Sequence, residues 1–385
     1  MSAIEAFRRE TRAWLDTNCP DEMRQPMTEA FGAYWGGRRA SFASPAERVW
    51  FERMAERRWT APDWALEYGG AGLSPEEARV LGEELKRIGA RPPLIGSGLW
   101  MLGPALLEYG DEAQKRQHLP PIARGEIRWA QGYSEPGAGS DLASLRTRAD
   151  DCGDYYRVTG SKIWSSYAQE SDWMFCLVRS EPDASKHLGI SFLLIDLATP
   201  GVTTRPIRLI DDTSDFCEVF FENVQVPKVN RVGEAGGGWS VAKALMAHER
   251  EMIGASDFDA PAVAGEIGRG LAPEDVAGFT IDLARCDIDL LAFQWTAERM
   301  QSEAAAGIAP PAAMASVMKL AGANLEIRRK ELAMQVGGTA TTTWTGDDGI
   351  GRRTANAWLR ARASAIAGGT NEVQLNIIAK HALRL

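Results

Sequence analysis

Trp173-Met174-Phe175-Cys176-Leu177-Val178, followed by Ile190-Ser191-Phe192-Leu193-Leu194-Ile195, are short apolar runs rich in aromatic and β-branched residues, separated by turn formers. Runs of this length and composition read as buried strands rather than helices. Similar runs fall at 155–159, 202–207 and 219–226, so the stretch from about 129 to 232 predicts a small all-β unit. Outward from it the texture changes on both sides. Upstream, apolar residues recur at three and four spacing over 49–57, 75–88 and 99–109, broken by Tyr68-Gly69-Gly70 and Arg91-Pro92-Pro93. Downstream, long helical periodicity covers 239–253, 276–306, 312–336 and 371–383, whereas 254–275 is rich in Ala, Gly and Pro and reads as a loop or short helix. The predicted architecture is therefore α+β and mainly α. It comprises an N-terminal helical domain over 1–128, a middle β-barrel or sandwich domain over 129–232, and a C-terminal four-helix bundle over 233–385. This is not the alternating βαβ order of a dinucleotide-binding sheet.

Composition bounds the function. The chain has 385 residues, 45% of them hydrophobic and 25% charged, with a net charge of −9. Length and composition fit two or three packed units, and an acidic balance argues against nucleic acid or an anionic membrane surface as partner. The five cysteines are scattered without a C-x-x-C pair, which predicts neither a disulfide framework nor a metal site. No run approaches the ~18 apolar residues of a membrane span. Ile4, Phe7, Thr11, Trp14 and Leu15 keep helical spacing, but Glu5, Glu10 and Asp16 among them fit no targeting peptide, so a cytoplasmic protein is expected.

One carboxylate stands out. Trp239, Ala242, Met246, Glu249 and Ile253 recur at three and four spacing, which puts Glu249 on the apolar face of a predicted helix. An apolar surround disfavours the charged form and raises a carboxyl pKa toward the range of a general base. The alternative is a Glu satisfied by a buried Arg or Lys.

Two loops carry small and hydroxyl residues. Gln131-Gly132-Tyr133-Ser134-Glu135-Pro136-Gly137-Ala138-Gly139-Ser140-Asp141 enters the β unit with glycines that permit close backbone approach and serines as short donors. Taken alone it reads more readily as a tight surface turn. Ala367-Gly368-Gly369-Thr370-Asn371-Glu372 opens a helix, where free N–H groups suit an anion or carbonyl oxygen and Thr370 or Asn371 also suit simple capping.

Together with Gly160-Ser161-Lys162-Ile163-Trp164-Ser165-Ser166, these loops resemble the flavin-contacting signatures of the acyl-CoA dehydrogenases. Trp59-Thr60-Ala61-Pro62-Asp63-Trp64 before Tyr68-Gly69-Gly70 is similar to that family's N-terminal domain, so the resemblance runs from about residue 40 to the end. It implies FAD as cofactor, held by Gln131, Tyr133, Ser134, Gly139 and Ser140, with Trp164, Ser165 and Ser166 closing over the ring system. Thr370, Asn371 and Glu372 would hold it from the C-terminal side. Ser140, Gly368 and Gly369 would meet an acyl-CoA substrate.

In many members the catalytic Glu lies two residues before the Thr of the glycine loop, where this chain has Gly368. A branch of the family carries its Glu on the helix next to an Arg, and His248-Glu249-Arg250 looks like that arrangement. The resemblance thus implies Glu249 as α-proton base, Arg250 beside it, flavin N5 as hydride acceptor and a trans-2-enoyl-CoA product. Electrons would pass to an electron-transfer flavoprotein. Many homotetrameric members have an Arg-x-x-Phe-Gly segment after this helix, and 254–275 lacks it. A homodimer or homotetramer is expected, with a heteromer containing a second dehydrogenase-like chain as the alternative. Within the fold, the other readings are a non-catalytic subunit, a flavin oxidase and a carrier-protein thioester dehydrogenase. Acyl length, branching and steroid-like bulk are not legible.

Overall fold

The computed structural model describes residues 2–25, 33–246, 276–308, 311, 313–342 and 349–385. The described chain forms two compact units, 1–207 with 215–245 and 208–214 with 246–385.

The first unit opens with helices α1 (Ala3–Asn18), α2 (Pro45–Glu56) and α3 (Pro75–Arg87). Each starts at a serine whose hydroxyl accepts from the third helical N–H. Ser2 and Ser74 complete capping boxes with Glu5 and Glu77. Their inner faces bury Leu15, Trp50, Met54 and Leu81, joined by Trp59 from the turn after α2, with Trp14 edge-on to Trp59 at 4.9 Å. Buried Glu84 of α3 accepts from Arg12 at 2.8 and 2.9 Å and from Arg87 at 2.6 Å, with Arg8 at 3.3 Å. The Arg12 hydrogen bonds lead in holding its carboxyl far below the usual range, at about 2, against the opposing effect of burial.

A π-helical turn, Gly98–Leu102, runs into α4 (Gly103–Tyr109), and α5 follows over Glu112–Ala123. The 99–109 periodicity is thus one helix with a wider first turn. Sequence periodicity misses α5 because Pro120 and Pro121 lie inside it. Its start is nonetheless fixed by an Asp111–Gln114 capping box. Gln114 also donates to the carbonyls of Val229 and Arg231, both at 2.8 Å, which ties α5 to the far end of the β region.

The sheet holds eight strands: β1 (Trp129–Gly132), β2 (Arg148–Asp151), β3 (Tyr155–Ser166), β4 (Trp173–Arg179), β5 (Ile190–Asp196), β6 (Val202–Ile207), β7 (Phe216–Pro227) and β8 (Arg231–Val232). Their order is β6-β7-β3-β2-β4-β5-β8, with β1 parallel to β4 and most other pairs antiparallel. Every strand expected from the apolar runs is present; β6 keeps the expected bounds and the others run beyond theirs. Met174, Cys176, Val178, Leu193, Ile195, Val219, Phe221 and Val224 form the sheet core. The β3–β7 register shifts twice, at Val158/Gly160 and at Lys162/Ser165. Gly160 has φ +148°, and a Cβ there would lie 2.8 Å from the Thr147 Cα, so only glycine fits the first bulge. After β8 a helix starts at 238, with Ala242 and Leu245 buried; its described part ends at 246.

The second unit contains α6 (Thr280–Ala305), α7 (Met314–Gly337), α8 (Ile350–Ala361) and α9 (Asn371–Ile378). Leu283, Cys286, Leu332 and Val336 form one core between α6 and α7, and Leu290, Phe293, Ala297, Met318 and Leu325 another. The loop 208–214 belongs to this unit: buried Asp211 accepts from the Thr213 hydroxyl at 2.7 Å and from Arg360 of α8 at 3.3 Å. Among the described residues no helix is long and apolar enough to cross a membrane.

Candidate active site

Glu249 and Arg250, the residues expected to do the proton chemistry, lie outside the described residues, as do His248 and the 254–275 stretch. The described site residues form two groups, one in each unit.

In the sheet unit the loop after β1 is pinned from beneath by an ion pair. Lys162 of β3 is fully buried, and its Nζ donates to Glu135 at 2.8 Å and to the Tyr133 carbonyl at 3.1 Å. Glu135 also accepts from the backbone N–H groups of Arg146 and Thr147, at 2.6 and 2.8 Å. Burial pushes the Glu135 carboxyl up, but the Lys162 charge and these hydrogen bonds together hold it below its ordinary value. The Ile163 N–H closes the arrangement onto the Ser134 carbonyl at 2.9 Å. Loop and strand therefore share one anchor, and Ser134, half-buried, sits next to the second bulge.

That bulge turns out Trp164. Its φ of +61° lies in the left-handed region, unusual for a bulky residue, and its indole is 54% exposed, touched edge-on by Phe216 at 6.1 Å. Ser166 is exposed, whereas Ser165 between them is fully buried and its Oγ has no hydrogen-bond partner among the described residues. Ser140 and Gly139 are exposed and Gln131 is half-buried. Tyr133 is different: its ring is buried, packed edge-on against Phe175 and Phe192 on the sheet face opposite the Met174 and Leu193 cluster. A bound molecule would meet the backbone around Tyr133 more readily than its ring. At Gly137 and Gly139 a Cβ would meet nothing within 4 Å, and neither has a positive φ. Among the described residues nothing demands glycine there, while space beside the backbone is what a close ligand requires. An exposed aromatic plane, serine hydroxyls and a buried donor without a partner together fit a ring-bearing, phosphate-containing cofactor.

In the helical unit Thr370 caps α9, its hydroxyl accepting from the Val373 N–H at 3.3 Å. Asn371 is held by Lys319 of α7 at 3.3 Å and donates to Asn324 at 2.9 Å. Burial lowers the Lys319 ammonium, and the Glu372 charge partly opposes this. Glu372 itself is exposed. Gly368 and Gly369 both adopt positive φ, +66° and +93°. Sequence reasoning missed Glu135 and Lys162 as a pair, Lys319, and Gln374. A lysine in phase with buried Val158 on a two-residue period was the available signal for Lys162.

Comparison with known proteins covers the same ground. The acyl-CoA dehydrogenase N-terminal domain model matches residues 3–126, the middle domain model 130–224 and the C-terminal domain model 270–383. Acyl-CoA dehydrogenase IpdE1 of Mycobacterium tuberculosis is 37% identical over 394 residues, covering 100% of this chain and 98% of that protein. Among solved structures, the Tcur3481-Tcur3483 steroid ACAD superposes with a TM-score of 0.75 at 29% identity, covering 100% of this chain and 97% of that one. The ChsE4-ChsE5 complex from Mycobacterium tuberculosis gives 0.69 at 30% identity, covering 100% and 98%. This chain belongs to the acyl-CoA dehydrogenase family of oxidoreductases.

Proposed function

We propose that the protein is an FAD-dependent dehydrogenase that converts an acyl-CoA thioester to its trans-2-enoyl-CoA, with Glu249 as base. Beyond family membership, the observation that carries this reading is Trp164, a strained and exposed indole set beside a rigidly anchored serine–glycine loop.

Trp164 offers a flat apolar plane, Ser166 a hydroxyl next to it, and the loop 134–140 backbone donors for a pyrophosphate. Thr370, Asn371 and Glu372 would add the contacts from α9. Bound FAD supplies the two-electron acceptor that takes the β-hydrogen as hydride. Glu249 takes the α-proton; the sequence seam of Trp239, Ala242 and Met246 favours its neutral form and so strengthens it as a base near neutral pH. Arg250 would orient the base or the CoA portion. The N–H groups of the Gly368-Gly369 turn would meet the negative charge growing on the thioester oxygen.

A second, related chain is the proposed partner. Two observations support it: the absent Arg-x-x-Phe-Gly segment, and an apolar stripe on α6 where Ile281, Ile288, Leu291 and Trp295 are exposed at seven, three and four spacing. Electrons would leave to an electron-transfer flavoprotein.

The test is the colour of the purified protein, alone and co-expressed with a second acyl-CoA dehydrogenase-like chain. The protein is expected to be yellow and to bleach anaerobically with one class from a panel of short, long, branched and polycyclic acyl-CoAs, then to reoxidise slowly in air. A colourless protein that takes up no FAD in either preparation overturns the reading. Rapid reoxidation with peroxide release would make it an oxidase.

A further inference from the structure

Gln374 lies in the first turn of α9 with 1% of its surface exposed. Its amide Nε2 donates to the carbonyls of Gly368 at 3.1 Å and Gly369 at 3.3 Å, while Oε1 is buried with no hydrogen-bond partner among the described residues. The orientation is fixed by chemistry, because a flipped amide would press an acceptor oxygen against two carbonyl oxygens. A Cβ on Gly369 would meet Nε2 at 2.6 Å, so the amide fills the space a side chain on the turn would need.

Half of the side chain's hydrogen-bonding capacity is buried unused, a cost set against the two carbonyls that its Nε2 satisfies. What the amide does accomplish is geometric. A trans peptide sets C=O and the following N–H on opposite sides of one rigid plane. Holding the Gly368 and Gly369 oxygens therefore aims the Gly369 and Thr370 N–H groups away from Gln374. Among the described residues neither of these N–H groups forms a hydrogen bond.

We infer that Gln374 is a positioning residue for the dehydrogenation, holding the Gly368-Gly369 turn so that the Gly369 N–H, which lies opposite the held Gly368 oxygen in their shared peptide plane, faces the thioester oxygen. This rests on the proposed function and names a residue that function does not require.

The test is Gln374→Met in the complete FAD-loaded protein, with its partner chain if one is needed. Four quantities are measured: melting temperature, FAD content, kcat with KM, and deuterium uptake from D2O at the α-carbon of an acyl-CoA blocked by two methyl groups at the β-carbon. That analogue can lose its α-proton but cannot be dehydrogenated. FAD content and melting temperature are expected to hold, while kcat and α-deuteration fall roughly 10- to 100-fold with KM little changed. Unchanged α-deuteration, or a loss explained wholly by unfolding, overturns the role. Should Gln374→Met fail to fold, Gln374→Glu gives a second reading. Only the protonated acid can donate to a carbonyl, so its activity relative to the parent must rise as pH falls, and a flat ratio overturns the role. A parent protein that neither binds FAD nor bleaches with any acyl-CoA removes the proposed function and this role together. A normal parent with a normal Gln374→Met removes this role only.

Discussion

The two groups of site residues are built on opposite principles. In the sheet unit the loop is locked by a charge pair, with Lys162 fully buried against Glu135. In the helical unit the glycine turn is locked by a neutral amide, Gln374, and a threonine cap. A buried charge pair is costly to interrupt because the surviving charge has no water to turn to, whereas the carbonyls held by the neutral amide lie on exposed Gly368 and half-buried Gly369, where water can replace it at smaller cost. Stability and function should therefore be inseparable in the first unit and separable in the second.

The largest effect tests the charged lock. Lys162→Met leaves Glu135 buried and unpaired, and we expect a loss of about 3–5 kcal/mol in thermal or urea unfolding together with loss of bound FAD. Adding Glu135→Gln should restore much of the stability, since the neutral amide still accepts from the Arg146 and Thr147 N–H groups. If Lys162→Met melts like the parent, the contrast fails.

Acid sharpens the same contrast. The folded pKa of Glu84 lies near 2 and below its unfolded value, so its contribution is present above about pH 4.5 and is lost as pH falls toward 2. We expect Glu84→Gln to cost about 2 kcal/mol at pH 7, discounted for arginines that face water, and to make unfolding less steep between pH 4.5 and 2. Chemical denaturation across that range decides it; an equal pH slope in both proteins contradicts the assignment. The smallest effect is Thr370→Ala, which removes the α9 cap. About 1 kcal/mol is expected, with weaker FAD retention on gel filtration. A stability change of more than about 3 kcal/mol would show that the turn is a folding element rather than a separable lock.

What could be read from the sequence follows from the same physics. Strands buried on both faces, 173–178 and 190–195, declare themselves as apolar runs. β2 reads Arg148-Ala149-Asp150-Asp151 and exists through its pairing with β3, so no local pattern shows it. β1 is only four residues long and pairs in parallel with β4. Lys162 and Glu135 stand apart in the chain and meet only once the loop folds back on β3, whereas Gln374 lies three and four residues before Ile377 and Ile378 and shares their helix face. Family resemblance names the candidate motif residues from the sequence. Their anchors were not legible there, because an anchor is defined by its partner.

The central claim is that one carboxylate, Glu249, takes the α-proton. Its most direct test is the rate of anaerobic flavin bleaching when the best acyl-CoA is mixed with the parent protein and with Glu249→Gln. The account predicts a variant that keeps its colour and its acyl-CoA affinity but bleaches slower by roughly 10²- to 10⁴-fold or more. A yellow Glu249→Gln protein that bleaches at the parent's rate would contradict it.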